Sequence, residues 1–388
     1  MKKYRILITY VEAGMGHIVS AEALANALEK YYPDEVEIIR SRIFTETNDP
    51  VLIKHEKFLI NSVKRSNRNP ISMYFIFLLS ALFSPNFSLT LAHNTVFRRE
   101  KKKLIEIMNS YNPDMVISTH FTPLHASIEA KRKGAKFKTV CYDPDPNVHR
   151  WWDTRADLFL VNNEAAYQEA LKKDKFNKDN LFLGRFILRK DVLETKVDKI
   201  EMRKKYGLPL DNFTIIMADG AYAKANLKSF AEEFLKIDRK FTLLIIAGKN
   251  EKLLKYFNEI SNNYPNITIK VYGFMKDIYE LYCASNIFVT KAGPNAILDS
   301  VYMETPIMVS YYASPIEEIT KNLYVKTYGV GVYEDSHKKA GKLITQYIDN
   351  PELLNPYIEN CKKFKKEGTG EKIMADRIMD ELHNSTQQ

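Results

Sequence analysis

Short runs of consecutive apolar, β-rich residues alternate along this chain with longer stretches in which apolar positions recur at helical spacing. In the first half the runs are Arg5–Thr9, Val36–Arg40, Met115–Thr119, Thr139–Asp143 and Leu158–Val161. In the second half they are Phe213–Met217, Leu243–Ala247, Ile267–Val271, Ile287–Thr290 and Ile307–Val309. Strand runs separated by helical patterns predict a parallel sheet with crossover helices. Each half starts its own count, so the expected fold is α/β, with two Rossmann-like parallel sheets. The join falls in the charged stretch Phe186–Lys199, and a helix from Ile200 to Tyr206 opens the second half. The expected domains are therefore residues 1–190 and 191–369. Residues 370–388 form a separate element: Gly370–His383 reads as a helix with Ile373, Ile378 and Leu382 on or near one face. In two-domain folds of this kind such a helix can cross back onto the first domain.

Composition bounds this picture without redirecting it. At 388 residues the chain exceeds what one core usually supports. Its net charge of +9 favours an anionic partner, whether nucleotide phosphate, nucleic acid or an acidic membrane face. A general lysine-rich bias accounts for the charge equally well. Cys141, Cys283 and Cys361 have neither pairing nor metal-ligand spacing, which predicts reduced thiols in a cytosolic protein. The start, Met1-Lys2-Lys3-Tyr4-Arg5, leads straight into a strand and has no apolar signal region. The most apolar run, Met73–Phe83, is shorter than the roughly 20 residues a membrane-spanning helix needs.

Two segments carry the candidate chemistry. After the first strand comes Glu12-Ala13-Gly14-Met15-Gly16-His17 and then a helix. Gly14 and Gly16 let backbone N–H groups approach an anion, and the helix start supplies its positive end. His17 adds a group whose intrinsic pKa suits proton transfer, at the sheet edge where open α/β folds bind ligands. A purely structural hydrogen bond is the alternative reading. The second segment, Lys291-Ala292-Gly293-Pro294-Asn295, also follows a strand and opens a helix. Pro294 suits the first helical turn, where its missing N–H would be unpaired anyway. The remaining amides can hold a diphosphate, and Asp299 further along can accept both hydroxyls of a ribose. A solvated helix acid is the competing reading of Asp299. Asp143-Pro144-Asp145-Pro146 with His149 ends another strand at the same edge. One carboxylate there could assist His17, although two Asp-Pro steps also make a rigid loop for conformational reasons alone. His120 and His125 read as lining of a cleft between the two halves. Residues 68–93, with Tyr74, Phe75, Phe77, Phe83 and Phe87, precede the basic cluster Arg98-Arg99-Glu100-Lys101-Lys102-Lys103. That pairing suits docking on an anionic membrane face; a core helix followed by a solvated basic helix fits it too.

Taken together, these residues resemble the monogalactosyldiacylglycerol synthase and processive diacylglycerol glucosyltransferase group, glycosyltransferase family 28. That group is related to the peptidoglycan lipid-linked N-acetylglucosaminyltransferase. Gly14-Met15-Gly16-His17 with Ser20-Ala21 is similar to the group's Gly-x-Gly-His-x-x-Ala start. The Pro113-Asp114 strand ending in His120, Ala247-Gly248-Lys249-Asn250, Val271-Tyr272-Gly273-Phe274 and above all Thr290-Lys291-Ala292-Gly293-Pro294 match further landmarks. The resemblance implies a GT-B fold and inverting transfer of a galactose or glucose from a UDP-sugar to a diacylglycerol-type lipid. It also implies no metal and no cofactor beyond that substrate, and peripheral attachment on the inner face of the cell membrane. Nucleic acid is not an expected partner. By position, His17 would be the base or an acceptor-site residue; the residues themselves add Asp143 as its candidate helper, with Gly14, Met15, Gly16 and His120 in the acceptor loop. Gly248, Phe274, Lys291, Ala292, Gly293, Pro294, Asn295, Asp299 and Glu317 would form the donor site.

Three departures leave the donor sugar unassigned. Asp299 stands where the group usually has Glu, Pro315-Ile316-Glu317 replaces Gly-Gln-Glu, and the turn Ala218-Asp219-Gly220-Ala221 is more acidic and less glycine-rich. A UDP-sugar 2-epimerase or a non-catalytic UDP-sugar-binding protein remain as alternatives. The apolar segment and basic cluster weigh against the first, and the lost glutamine motivates the second.

Overall fold

The computed structural model describes residues 3–11, 15–46, 48–68, 85–95, 97–149, 151–172, 176–220 and 225–386. Glu12, Ala13, Gly14, the side chain of Met15, the run Met73–Phe83 and Ala221 lie outside the described residues, as do the side chains of Tyr74, Phe75, Phe77, Phe83 and Phe87.

The chain divides into two compact units. One comprises Met1–Lys190, Ala313–Ile316 and Thr369–Gln388; the other comprises Asp191–Tyr312 and Glu317–Gly368. In the first unit six parallel strands run in the order β2-β1-β3-β4-β5-β6. They are β1 (Tyr4–Thr9), β2 (Val36–Ser41), β3 (Met115–Ser118), β4 (Lys138–Tyr142), β5 (Leu158–Val161) and β6 (Leu181–Leu183). The second unit repeats the pattern in the order β12-β11-β10-β7-β8-β9. Its strands are β7 (Phe213–Ala218), β8 (Phe241–Gly248), β9 (Ile267–Gly273), β10 (Ile287–Lys291), β11 (Ile307–Tyr311) and β12 (Gly331–Tyr333). The interior strands β3, β7 and β8 are buried along almost their whole length, as a sheet covered by helices on both faces requires. The edge strands β6 and β12 have three residues each and were not anticipated from the sequence.

The last helix, Glu371–Thr386, belongs to the first unit and packs along the helix Met15–Tyr31. Met374, Ala375, Ile378, Met379 and Leu382 enter the same apolar cluster as Ala21, Leu24 and Leu28. Ile373, expected near that face, is instead exposed. It precedes Ile378 by five residues, which is about 140° around a helix from that position. Gly370 admits the helix to its seat: a Cβ there would lie 2.4 Å from the Arg185 carbonyl oxygen. The Glu371 carboxylate then accepts the Leu188 N–H at 2.6 Å.

Candidate active site

In the first unit the candidate base is fixed by two strand ends. His17 lies in the first turn of the helix Met15–Tyr31, and Thr119 directly follows β3. His17 Nδ1 meets the Thr119 carbonyl at 2.5 Å, and the Thr119 hydroxyl donates to the His17 carbonyl at 3.0 Å. A carbonyl can only accept, so Nδ1 carries the proton and, in the neutral ring, Nε2 keeps the lone pair. That is the tautomer a general base needs. Burial lowers the His17 pKa; the Asp145 charge and the Thr119 carbonyl pull it back up, and His149 pushes it down. The ring is therefore neutral at neutral pH.

The carboxylate that acts on this ring is Asp145 rather than Asp143. Asp143 is buried, and one of its oxygens accepts the Asp145 N–H at 3.0 Å, closing a turn of its own loop. His149 Nε2 lies 3.4 Å from Asp145, while its Nδ1 accepts the Trp151 N–H. Phe121, Trp151 and Trp152 surround this imidazole with aromatic edges and faces.

His120 does not line an open surface. It is buried and caps the helix Phe121–Arg132, its Nδ1 accepting the Thr122 N–H at 3.2 Å. Its ring stands edge-on to His17 at 4.9 Å, and burial holds its pKa well below the usual histidine value. Nor is His125 cleft lining. It is fully buried, with Nδ1 on the Asp153 carboxylate at 2.7 Å. Burial pushes Asp153 up, but hydrogen bonds from Arg155 and His125 outweigh it and hold the acid at about 2. Across from His125 lies the His93 ring, 4.4 Å away.

In the second unit β8 ends at Gly248 in the left-handed region, φ +57°, which glycine adopts without strain. The chain then turns so that the Asn250 side chain caps the helix Glu251–Ile260. Phe274, just past β9, is 46% exposed, and the Lys249 ammonium lies 5.6 Å from its ring centre. Gly293 caps the helix Pro294–Tyr302, with Pro294 in its first turn. Two amides expected to face a ligand are already used: Gly293 N–H donates to the Lys291 carbonyl and Ala292 N–H to the Tyr311 carbonyl. An anion here would meet the positive end of the helix Pro294–Tyr302. Asp299 lies in this helix and is buried rather than solvated. Lys291 Nζ pairs with the Glu317 carboxylate at 2.5 Å. Among the described residues no group of three or more His, Cys, Asp or Glu side chains is placed to hold a metal ion.

Two family models match in tandem: the monogalactosyldiacylglycerol (MGDG) synthase model over residues 17–183 and the glycosyl transferases group 1 model over residues 198–364. A processive diacylglycerol beta-glucosyltransferase from Bacillus pumilus is 21% identical over 377 residues, spanning 96% of this chain and 94% of that protein. The crystal structure of MurG from Acinetobacter baumannii superposes with a TM-score of 0.61 at 12% identity, covering 98% of this chain and 100% of that one. A variant of Os79 from O. sativa, crystallised in complex with UDP, gives a TM-score of 0.64 at 11% identity, over 97% and 99% of the two chains. These likenesses establish the GT-B fold class. The chain is a glycosyltransferase, whose first half matches the monogalactosyldiacylglycerol synthase model and whose second half matches the glycosyl transferases group 1 model.

Proposed function

We propose that this protein moves a hexose, galactose or glucose, from a UDP-sugar to a diacylglycerol-type lipid, with inversion at the anomeric carbon. The acceptor hydroxyl oxygen attacks that carbon as its bond to the diphosphate oxygen breaks. His17 Nε2 takes the hydroxyl proton, and UDP leaves. The observation that carries this reading is the His17–Thr119 contact, which leaves Nε2 as the basic nitrogen inside the region that matches the MGDG synthase model. The Asp145 charge favours the imidazolium formed when the proton arrives.

The donor reading rests on the second unit. Phe274 offers an exposed ring for the uracil base, with Gly248 at the neighbouring strand end. The helix start at Gly293-Pro294-Asn295 offers its positive end to the diphosphate, and Asp299 a carboxylate to the ribose. Backbone dipoles stabilise the leaving charge without a metal or other cofactor. No described helix is long and apolar enough to cross a membrane. The helices Pro50–Arg68 and Pro85–Asn94 expose Phe58 and Leu91, and Arg98, Arg99, Lys102 and Lys103 are exposed nearby in sequence. This combination supports docking on an anionic lipid surface at the inner face of the cell membrane.

The test is incubation of the protein with a panel of UDP-sugars and diacylglycerol-containing vesicles, followed by mass analysis. A hexosyl-diacylglycerol formed only when both substrates are present is the expected product. Sugar rearranged or released equally well without lipid would contradict the reading and favour the epimerase chemistry.

A further inference from the structure

Lys291 is placed with unusual care for a strand-end lysine. It closes β10 at a register shift against β11, the kind of irregularity that re-aims a side chain. Its own N–H donates to the Asp219 carboxylate at 3.1 Å. Its stem then passes between two glycine turns. A Cβ on Gly220 would sit 3.7 Å from Lys291 Cε, and one on Gly293 would sit 3.8 Å from it. Gly220 lies in the turn after β7 with φ +71°, and Gly293 caps the helix Pro294–Tyr302. The ammonium therefore sits where two backbone turns approach without side chains, which is where a bulky anion can come close.

The fixed charges around it are out of balance for such an anion. Asp219 and Glu317 both flank this corner; burial first, and then these two charges, raise the pKa of the Tyr311 phenol between them. A diphosphate arriving beside two carboxylates and one ammonium would be repelled unless a carboxylate moves. Asp219 is tied to the strand by the Lys291 amide. Glu317 stands in the first turn of the short helix Pro315–Lys321 and meets Lys291 through its side chain alone. The Lys291 and Glu317 side chains are 19% and 12% exposed, so the pair is neither a solvated surface bridge nor a sealed core pair.

We propose that Lys291 is the cation that receives the donor's diphosphate and that Glu317 is its resting counter-ion, displaced when the donor binds. The inference rests on the reading of the second unit as the UDP-sugar site. It assigns Glu317 a role opposite to that of an ordinary binding residue, because in the empty site it competes with the ligand. The probes are UDP and uridine, titrated calorimetrically into the full chain. Glu317→Gln should bind UDP about three- to tenfold more tightly than wild type, with uridine affinity unchanged. Lys291→Met should bind UDP roughly ten- to a hundredfold more weakly, again with uridine unchanged, and Lys291→Arg should restore most of the loss. A gain of affinity cannot come from misfolding, so the glutamine variant keeps the test decisive even if Lys291→Met is unstable. Glu317→Gln binding UDP no better than wild type overturns the inference, as does Lys291→Met binding UDP normally. Wild-type protein that binds neither UDP nor uridine overturns the donor-site reading itself, and the inference with it.

Discussion

The buried histidine pair in the first unit makes a quantitative prediction about acid stability. His93, from the helix Pro85–Asn94, is 3% exposed and packs with its ring centre 4.4 Å from that of His125. Its Nδ1 and the Nε2 of His125 have no hydrogen-bond partner among the described residues. Burial, joined by the charges of His125, His55 and Lys101, lowers the His93 pKa to about 3 from its ordinary 6.5. Asp153 opposes the shift through its negative charge. A folded pKa below the unfolded one means that the unfolded chain binds more protons. Stability is therefore intact above pH 6.5 and falls as the pH drops from 6.5 toward 3. At about pH 5 the unfolded histidine is almost fully charged and the folded one is not. The single group then costs about 2 kcal/mol relative to about pH 7.5. His93→Phe keeps an aromatic ring against Phe97 and His125 but removes the titration. Both tryptophans of the chain, Trp151 and Trp152, lie in the first unit, so their fluorescence reports that unit alone. Urea unfolding followed by this signal at about pH 7.5 and about pH 5 should show wild type losing about 2 kcal/mol more than His93→Phe. Equal losses in the two proteins would contradict a His93 pKa lowered by burial. His17, His55 and His120 are also held down by burial and remain in both proteins, so the variant still loses some stability in acid.

Two further outcomes are expected. Met374 is fully buried, and its Cε would be 2.1 Å from a Cβ on Gly184. Met374→Ala should therefore lower the stability of the first unit by about 2–5 kcal/mol in the same fluorescence assay. As the proposed base, His17 would have to be neutral, and its pKa is lowered by burial. The rate should hold down through neutrality and fall only as the pH drops below the ordinary histidine value of 6.5. A kcat/KM profile whose acid limb lies on the alkaline side of neutrality would contradict the assignment.

The sheets were legible because their interior strands are buried on both faces. Runs such as Leu243–Ala247 and Met115–Thr119 have no polar alternation to confuse with a surface strand. The edges were not: Leu181–Leu183 and Gly331–Tyr333 are too short to stand out, and they exist because a neighbouring strand offers its hydrogen-bonding edge. The final helix was found but its face was misjudged at Ile373, since a five-residue step leaves the buried stripe. As a candidate, His17 was named from the glycine turn before it. What orients it was harder to see, because Thr119 is far away in sequence and meets it only through the β1–β3 pairing. The choice between Asp143 and Asp145 depends on which way one tight turn points each carboxylate, and composition carries no trace of that. Likewise His120 and His125 were named, but their roles as helix cap and buried partner of Asp153 arise from packing between distant segments.

Whether an imidazole on one unit activates a lipid hydroxyl while the other unit binds a UDP-sugar is decided by a paired measurement on His17→Ala. Hexose transfer to diacylglycerol vesicles and calorimetric affinity for UDP are compared with wild type. Transfer should fall by about a hundredfold or more with UDP affinity unchanged. Transfer at the wild-type rate, or loss of UDP binding together with transfer, would contradict this role of His17.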